Sequence, residues 1–260
     1  FTDLSEASGI SGFVAWATGV TTADINNDGW LDVYICLSGM DSLNRANKLF
    51  INQQIGTFKE VAKEWGVANE SPSSQAEFFD ADGDGDLDMY LVNHFIDQEN
   101  IFNLRYYTDE RVIDKRHIDR LYRNDGGSFT DVTFSSGLQI KYRYGLSSSV
   151  SDINNDGKPD ILVTNDFFEP DVVYINEGGM RFTDSSSRYL SKSSLFSMGS
   201  SFADIDNDGD MDLSTMDMRP ATQLTFKKNN FAFAPLGMYE FFELYFSIYQ
   251  SSKNMLLIRD

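Results

Sequence analysis

The sequence predicts an all-β chain, a β-propeller built of four-stranded blades with calcium-binding loops between the first two strands of each blade. Three observations carry this. A nine-residue acidic pattern, D-x-[DN]-x-D-G-x-x-D, occurs four times in 260 residues, beginning at residues 24, 80, 152 and 204. Apolar runs of four to six residues flank each copy. A second pair of short runs, joined by a Gly-rich turn, follows each of the first three. Repetition at intervals of 56, 72 and 52 residues indicates a repeat architecture, and four short strands per repeat make one propeller blade.

The four loops are Asp24–Asp32, Asp80–Asp88, Asp152–Asp160 and Asp204–Asp212. In the first, Asp24, Asn26, Asp28 and Asp32 place oxygen-bearing side chains at positions 1, 3, 5 and 9, and Trp30 at position 7 offers a backbone carbonyl. The second supplies Asp80, Asp82, Asp84, Asp86 and Asp88. The third supplies Asp152, Asn154, Asp156, Lys158 and Asp160, and the fourth Asp204, Asp206, Asp208, Asp210 and Asp212. Glycine at position 6 permits the sharp turn, and six to eight converging oxygens are the shell that Ca²⁺ prefers. Up to four Ca²⁺ ions are expected. The alternative is four solvated Asp-Gly hairpin turns.

Composition agrees with a packed, acidic β protein. Apolar residues make up 41% and aromatics 14%, and 40 acidic against 21 basic residues give a net charge of −19. Such a surface repels nucleic acid. The ligand positions hold fourteen of the aspartates, and four bound Ca²⁺ ions would bring the net charge to about −11. Cys36 is the only cysteine, so no internal disulfide forms, and its place in the apolar run Val33–Leu37 makes it a small buried hydrophobe. Loops of this kind need external calcium, so an extracellular or cell-surface location is expected, with the bacterial outer surface the natural setting. The sequence shows no signal-peptide pattern, lipobox cysteine or membrane-length apolar run.

Taken in order, the units cover about 13–61, 74–132, 146–184 and 198–258. Small-residue runs precede the loops: Ala17–Ala23, Ser74–Phe79, Leu146–Ser151 and Met198–Ala203. Apolar runs such as Val33–Leu37, Met89–Val92 and Ile161–Thr164 follow, completing the first hairpin. Second hairpins join Asn47–Asn52 to Thr57–Val61, Arg120–Asn124 to Phe129–Val132, and Val172–Asn176 to Arg181–Asp184. Residues 1–4 match the last strand of a blade, and Asn254–Ile258 matches a third strand. Either the N-terminal strand closes a four-bladed ring, or, as the expectation adopted here, the chain is a section of a longer propeller. Phe1 in place of Met fits a processed chain or an internal piece.

Two insertions interrupt the pattern. Residues 94–118 carry Arg105, Arg111, Lys115 and Arg116 among acids. Residues 218–252 hold nine aromatics, and Met238, Phe242, Tyr245 and Tyr249 share a helical stripe. That stripe either caps the propeller floor or, with Tyr239, Phe242, Tyr245 and Tyr249 at its centre, forms a contact surface for a glycan or protein.

Look-alikes fail. An EF-hand needs Glu at position 12, which here is Ile35, Leu91, Val163 and Thr215. Dockerin loops come as a close pair followed by helices, and haemolysin-type repeats need denser glycine. On Phe13–Gly19, Asn47–Asn52, Phe129–Val132, the run from Ser197 through Asp210 and Met216–Met218, the chain resembles the FG-GAP/VCBS-repeat proteins, integrin-α-like calcium-binding β-propellers, of the ASPIC/UnbV-associated kind. The resemblance implies calcium ligands at the matching loop positions, a β-propeller and, in many relatives, export from bacteria.

No catalytic motif emerges. His94 and His117 are the only histidines and lie outside H-E-x-x-H, and no nucleophile elbow, Walker loop or dinucleotide fingerprint occurs. The expected role is that of a non-catalytic, secreted or cell-surface recognition module acting in adhesion, protein binding or glycan binding. The alternatives are a scaffold subunit of a larger outer-surface complex and part of a polysaccharide-acting enzyme. No nucleic-acid partner and no membrane-spanning segment are expected.

Overall fold

The computed structural model describes residues 1–11, 15–39, 45–94, 114–166, 169–194, 196–217, 250–251 and 254–259. It is all-β, with several four-stranded antiparallel sheets, consistent with propeller blades. The first sheet runs β1 (Trp16–Ala23), β2 (Asp32–Ser38), β3 (Lys48–Asn52) and β4 (Phe58–Glu60), in that order across the sheet. The second repeats it as β5 (Ser73–Phe79), β6 (Asp88–Asn93), β7 (Arg120–Asn124) and β8 (Phe129–Asp131). The third is β9 (Gly145–Ser151), β10 (Asp160–Asn165), β11 (Val172–Gly178) and β12 (Arg181–Asp184). After the short β13 (Ser193–Ser194) comes a three-stranded sheet of β14 (Ser197–Ala203), β15 (Asp212–Asp217) and β17 (Met255–Leu257). The two-residue β16 (Gln250–Ser251) pairs parallel with β13. Among the described residues no sheet closes on itself.

The residues separate into two compact units, Phe1–Tyr142 with Asn176–Phe182, and Arg143–Ile175 with Thr183–Asp260. The core of the first gathers Ile25, Tyr34, Leu49, Met89, Leu91, Tyr122 and Phe129. The core of the second gathers Ile153, Leu162, Val173, Ile175, Leu190 and Leu213. Strands β6 and β10 are buried at every position, which is why their sequences read as unbroken apolar runs rather than as an alternation.

The small-residue runs ahead of the loops have a different cause. In the first unit, Thr18 Oγ1 donates to Ser73 O (2.6 Å) and Thr21 Oγ1 to Ala76 O (2.7 Å), so β1 lies directly against β5. A Cβ added at Gly19 would sit 2.2 Å from Ser74 O. In the second unit, Ser149 and Ser200 meet hydroxyl to hydroxyl at 2.9 Å. At these contact points small residues let the first strands approach, and the hydroxyls of Thr18 and Thr21 satisfy the facing backbone.

Each sheet is also held at the entry to its third strand. Leu37 N, Asn93 N, Asn165 N and Asp217 N, at the ends of the four second strands, donate to Asn47, Asp119, Asp171 and Asn254 respectively, at 2.7–3.0 Å. The polar end of one strand is thereby closed by the residue that opens the next, and these four amides are satisfied. His94 belongs to this end: its Nε2 lies 3.0 Å from Ser38 Oγ. Burial, with His117 and Arg45 nearby, pushes its pKa down to about 4, and it is a neutral, hydrogen-bonded residue at neutral pH.

Cys36 is buried, as its apolar run implies. The aromatic stripe of Met238, Phe242, Tyr245 and Tyr249, with Tyr239, lies outside the described residues, as do residues 95–113 of the first insertion. Among the described residues no helix is long and apolar enough to cross a membrane.

Asn124 shows how the third strands tie loops together. Its side-chain nitrogen donates to Ile25 O (3.2 Å) and Leu87 O (3.1 Å), and its oxygen accepts from Gly127 N (3.1 Å). Asn124→Ala removes all three bonds at a buried position. It should cost about 2–3 kcal/mol, measured as a lower urea midpoint than the unsubstituted chain, with Asn124→Asp recovering less than half of the loss.

Candidate metal centres

Each acidic loop folds by turning its own carboxylates onto its own backbone amides. The position-1 aspartate caps the turn in every copy. Asp24, Asp152 and Asp204 each accept from the amides of positions 5 and 6 at 2.8–3.1 Å. Asp80 accepts from Gly83 N as well as from Asp84 N and Gly85 N. The position-5 aspartates Asp28, Asp84, Asp156 and Asp208 accept from the amides of Trp30, Asp86, Lys158 and Asp210, at 2.9–3.0 Å. Glycine at position 6 has φ between 84° and 96° in all four loops, a conformation that side chains resist. Position 4 is also left-handed, with φ of 56°, 60° and 61° at Asn27, Asn155 and Asn207 and Gly83 in the second loop.

The position-9 aspartates differ from the rest. Asp32, Asp88, Asp160 and Asp212 are all fully buried. One oxygen of each accepts from the amide at loop position 2, namely Ile25, Ala81, Ile153 and Ile205, at 2.8–3.1 Å. The other oxygen accepts from the far end of the third strand, shown for Asp32 with Asn52 N (2.8 Å), Asp88 with Asn124 N (2.8 Å) and Asp212 with Arg259 N (3.0 Å). Each of these three residues therefore joins loop, second strand and third strand. Burial raises the pKa of Asp88 to about 6, against the lowering effect of its two amide bonds, with Asp82 and Asp84 adding repulsion.

Which loops converge acids follows from position 3. Asp80, Asp82 and Asp88 bring one carboxylate oxygen each within 4.8 Å of the others, and so do Asp204, Asp206 and Asp208. Asp82 Oδ1 is buried with no hydrogen-bond partner. Burial and then the charges of Asp84 and Asp80 raise the Asp82 pKa, and Asp206 is raised by burial, Asp208, Asp212 and Asp204. These clusters carry an unmet demand for positive charge, and their donors are all oxygens. They fit a hard divalent cation such as Ca²⁺, which when bound would neutralise the carboxylates.

In the first and third loops an amide meets part of that demand. Asn26 Nδ2 donates to Asp28 Oδ2 (3.1 Å), and Asn154 Nδ2 to Asp156 Oδ2 (3.2 Å). Lys158 Nζ adds an ion pair to Asp156 at 2.8 Å, and this bond comes first among the causes that lower the Asp156 pKa. At loop position 7 the sequence offers the backbone carbonyl of Lys158, and the i, i+2 spacing of its side chain to Asp156 is the signal for the ion pair.

Neighbouring loops are also bonded to each other. Asn27 Nδ2 donates to Gly85 O (3.1 Å) and Asp86 Oδ1 (3.0 Å), and Asn155 Nδ2 donates to Asp210 Oδ1. The left-handed position-4 asparagine thus orients the position-7 residue of the following loop within each unit, and Asp86 and Asp210 face a neighbour rather than their own loop.

The stretch that holds loops three and four matches a family model described as an FG-GAP-like repeat, over residues 152–214. This segment is an FG-GAP-like repeat. It begins on Asp152 and ends just past Asp212, so the whole of β14 and both acidic loops of the second unit fall inside it. Among curated proteins no match is found. Among solved structures, a lectin of Agrocybe aegerita, described for specific recognition of non-reducing terminal N-acetylglucosamine, is similar at 18% identity with a TM-score of 0.41. The similarity covers 76% of this chain and 46% of that one, so this chain spans about half the length of that neighbour.

The difference between loops is open to measurement. Loops two and four present a full set of carboxylates without an internal amide or lysine, so they should bind calcium more tightly than loops one and three. In calorimetric titrations Asp84→Ala should remove one of the two tight sites, and Asp28→Ala should remove one of the two weaker sites and leave the tight pair intact. Equal losses would show that geometry, not charge, sets affinity.

Proposed function

We propose that the chain is a non-catalytic recognition module whose propeller blades are stabilised by calcium and which works outside the cell, in adhesion or in binding a protein or glycan. The observation that carries this reading is a loop repeated four times, with carboxylates converging in the second and fourth copies and a buried, unpartnered Asp82 oxygen. Loops of this type are built to take a cation where calcium is plentiful. An FG-GAP-like repeat in the second unit supports the same assignment, and a net charge of −19 suits partners that are neutral or cationic rather than nucleic acid.

The role of calcium follows from where the aspartates sit. Each loop joins the first two strands of a sheet, and the ninth residue of loops one, two and four reaches the third. A cation bound by Asp80, Asp82, Asp84 and Asp88 would relieve repulsion at the point where three strands meet. The binding surface would then be held in shape by ions remote from the ligand itself, and ligand binding would depend on calcium without touching it.

The test joins stability and binding. Calcium at about 100 times its dissociation constant stabilises by roughly 2.7 kcal/mol per independent site. The unfolding temperature should rise by several degrees on adding calcium to an EDTA-treated sample, and retention of glycans or surface proteins should be lost in EDTA. An unfolding temperature indifferent to both additions would refute the calcium-stabilised reading.

A further inference from the structure

Two side chains join the acidic loops of the first unit, and the two joints differ in kind. Asn124 makes the buried one. Its amide donates to Asp88 Oδ1 (2.8 Å) and its side chain to Ile25 O (3.2 Å), while Ile25 N donates to Asp32 Oδ2 (3.1 Å). This line runs from the position-9 carboxylate of loop two to that of loop one, and Asp88, Asn124, Ile25 and Asp32 are all buried. Packed on every side, it has little freedom left for a cation to remove.

Asn27 makes the other joint, between the exposed tips. It stands at position 4 of loop one, exposed and left-handed with φ of 56°. Its Nδ2 donates to Gly85 O (3.1 Å) and Asp86 Oδ1 (3.0 Å) of loop two. The peptide unit between Gly85 and Asp86 is thereby gripped from both sides, because its N–H donates to Asp84 Oδ1 (2.9 Å). Asp84 offers a carboxylate to a cation in loop two, and Asp86 offers its backbone carbonyl from position 7. On its own side Asn27 lies between Asn26 and Asp28, two of the side chains that loop one offers. One amide group thus reaches from the ligand-bearing residues of one loop to those of the next.

The two loops also start from different states. In loop two Asp80, Asp82 and Asp88 converge, and Asp82 Oδ1 has no hydrogen-bond partner. In loop one Asn26 Nδ2 already meets Asp28 Oδ2 at 3.1 Å. On the calcium reading proposed above, loop two therefore fills first. Its carboxylates, drawn onto one centre, hold the Gly85–Asp86 peptide, and that peptide holds the amide of Asn27. Loop one then has less chain to order when its own ion arrives, and the freedom it does not lose adds to its affinity.

We infer that Asn27 is a positioning residue that couples the two sites, so that a cation in loop two raises the affinity of loop one. This inference rests on the calcium reading and adds to it a direction and a residue. By linkage the coupling is reciprocal, but because loop two fills first it is felt by the second ion to bind. Asn155, which donates to Asp210 of the following loop, holds the same position in the second unit. Position 4 of loop two is Gly83, which has no side chain to donate, so loop two receives such a bond without making one.

Trp30, at position 7 of loop one, lets that site be read separately. Terbium is a hard, oxygen-seeking ion that takes calcium's place and luminesces when bound beside an excited tryptophan; Trp30→Phe should remove the loop-one signal. In the full chain Asp84→Ala, at an exposed position, should raise the terbium concentration at half-signal about five- to tenfold. Asn27→Gly removes the amide and leaves the left-handed backbone unstrained, as Gly83 with φ of 82° shows at the same position. It should raise the half-signal concentration by a similar factor, and adding Asp84→Ala should then raise it by less than about twofold more. An Asp84→Ala effect below about twofold in the unsubstituted chain, or one equally large in Asn27→Gly, would overturn the coupling and leave the calcium reading standing. A chain that takes up no terbium in dialysis would overturn both.

Discussion

A carboxylate buried away from water is costly unless its oxygens find partners, and four such carboxylates organise this chain. Asp32, Asp88, Asp160 and Asp212 are fully buried at the start of the second strands. Each accepts from the loop amide seven residues earlier, and Asp32, Asp88 and Asp212 also accept from the end of the third strand. The loop must therefore fold back far enough to offer its position-2 amide, and the third strand must run far enough to offer its own. The sheet's width and the loop's curvature are set together by one side chain. The amide bonds leave the charge only partly compensated, as the raised pKa of Asp88 shows, and a cation in the loop would supply the remainder.

The opposite ends of the sheets use the same physics with different residues. Asn47, Asp119, Asp171 and Asn254 close the last amide of the second strand. Between these two polar clamps β6 and β10 are buried at every position, and β1 packs against β5 closely enough that Gly19 has no room for a side chain. The architecture is thus an apolar layer pinned at both rims by side-chain oxygens on backbone amides. Loop-to-loop bonds from Asn27 and Asn155 extend the pinning from one sheet to the next within each unit.

Much of this is legible in the sequence, and the reasons are physical. The loops are visible because side-chain oxygens that turn onto the loop's own amides and a left-handed glycine must recur at fixed spacing. The hairpins are visible because β2, β6 and β10 must be apolar throughout. The amide-capping role of position 9 is hidden, since an aspartate that caps amides and one placed to bind metal look alike in sequence. The clamps at Asn47, Asp119, Asp171 and Asn254 are hidden for a related reason: Asn and Asp before a strand are ordinary turn residues, and only the paired amide gives them a role. The parallel β13–β16 pair is too short to leave a pattern. The difference between loops was half legible. Asn26 and Asn154 announce a lower charge, but that their amides turn onto Asp28 and Asp156 requires coordinates.

The central claim is that the acidic loops are cation sites on which the sheets depend, and the number of ions bound tests it most directly. Equilibrium dialysis of the EDTA-stripped chain against calcium, with bound metal measured by atomic absorption, should approach four ions per chain. The binding curve should divide into a tighter pair, from loops two and four, and a weaker pair, from loops one and three. A chain that binds no calcium at millimolar free concentration would contradict the account, leaving the four loops as self-capped acidic turns.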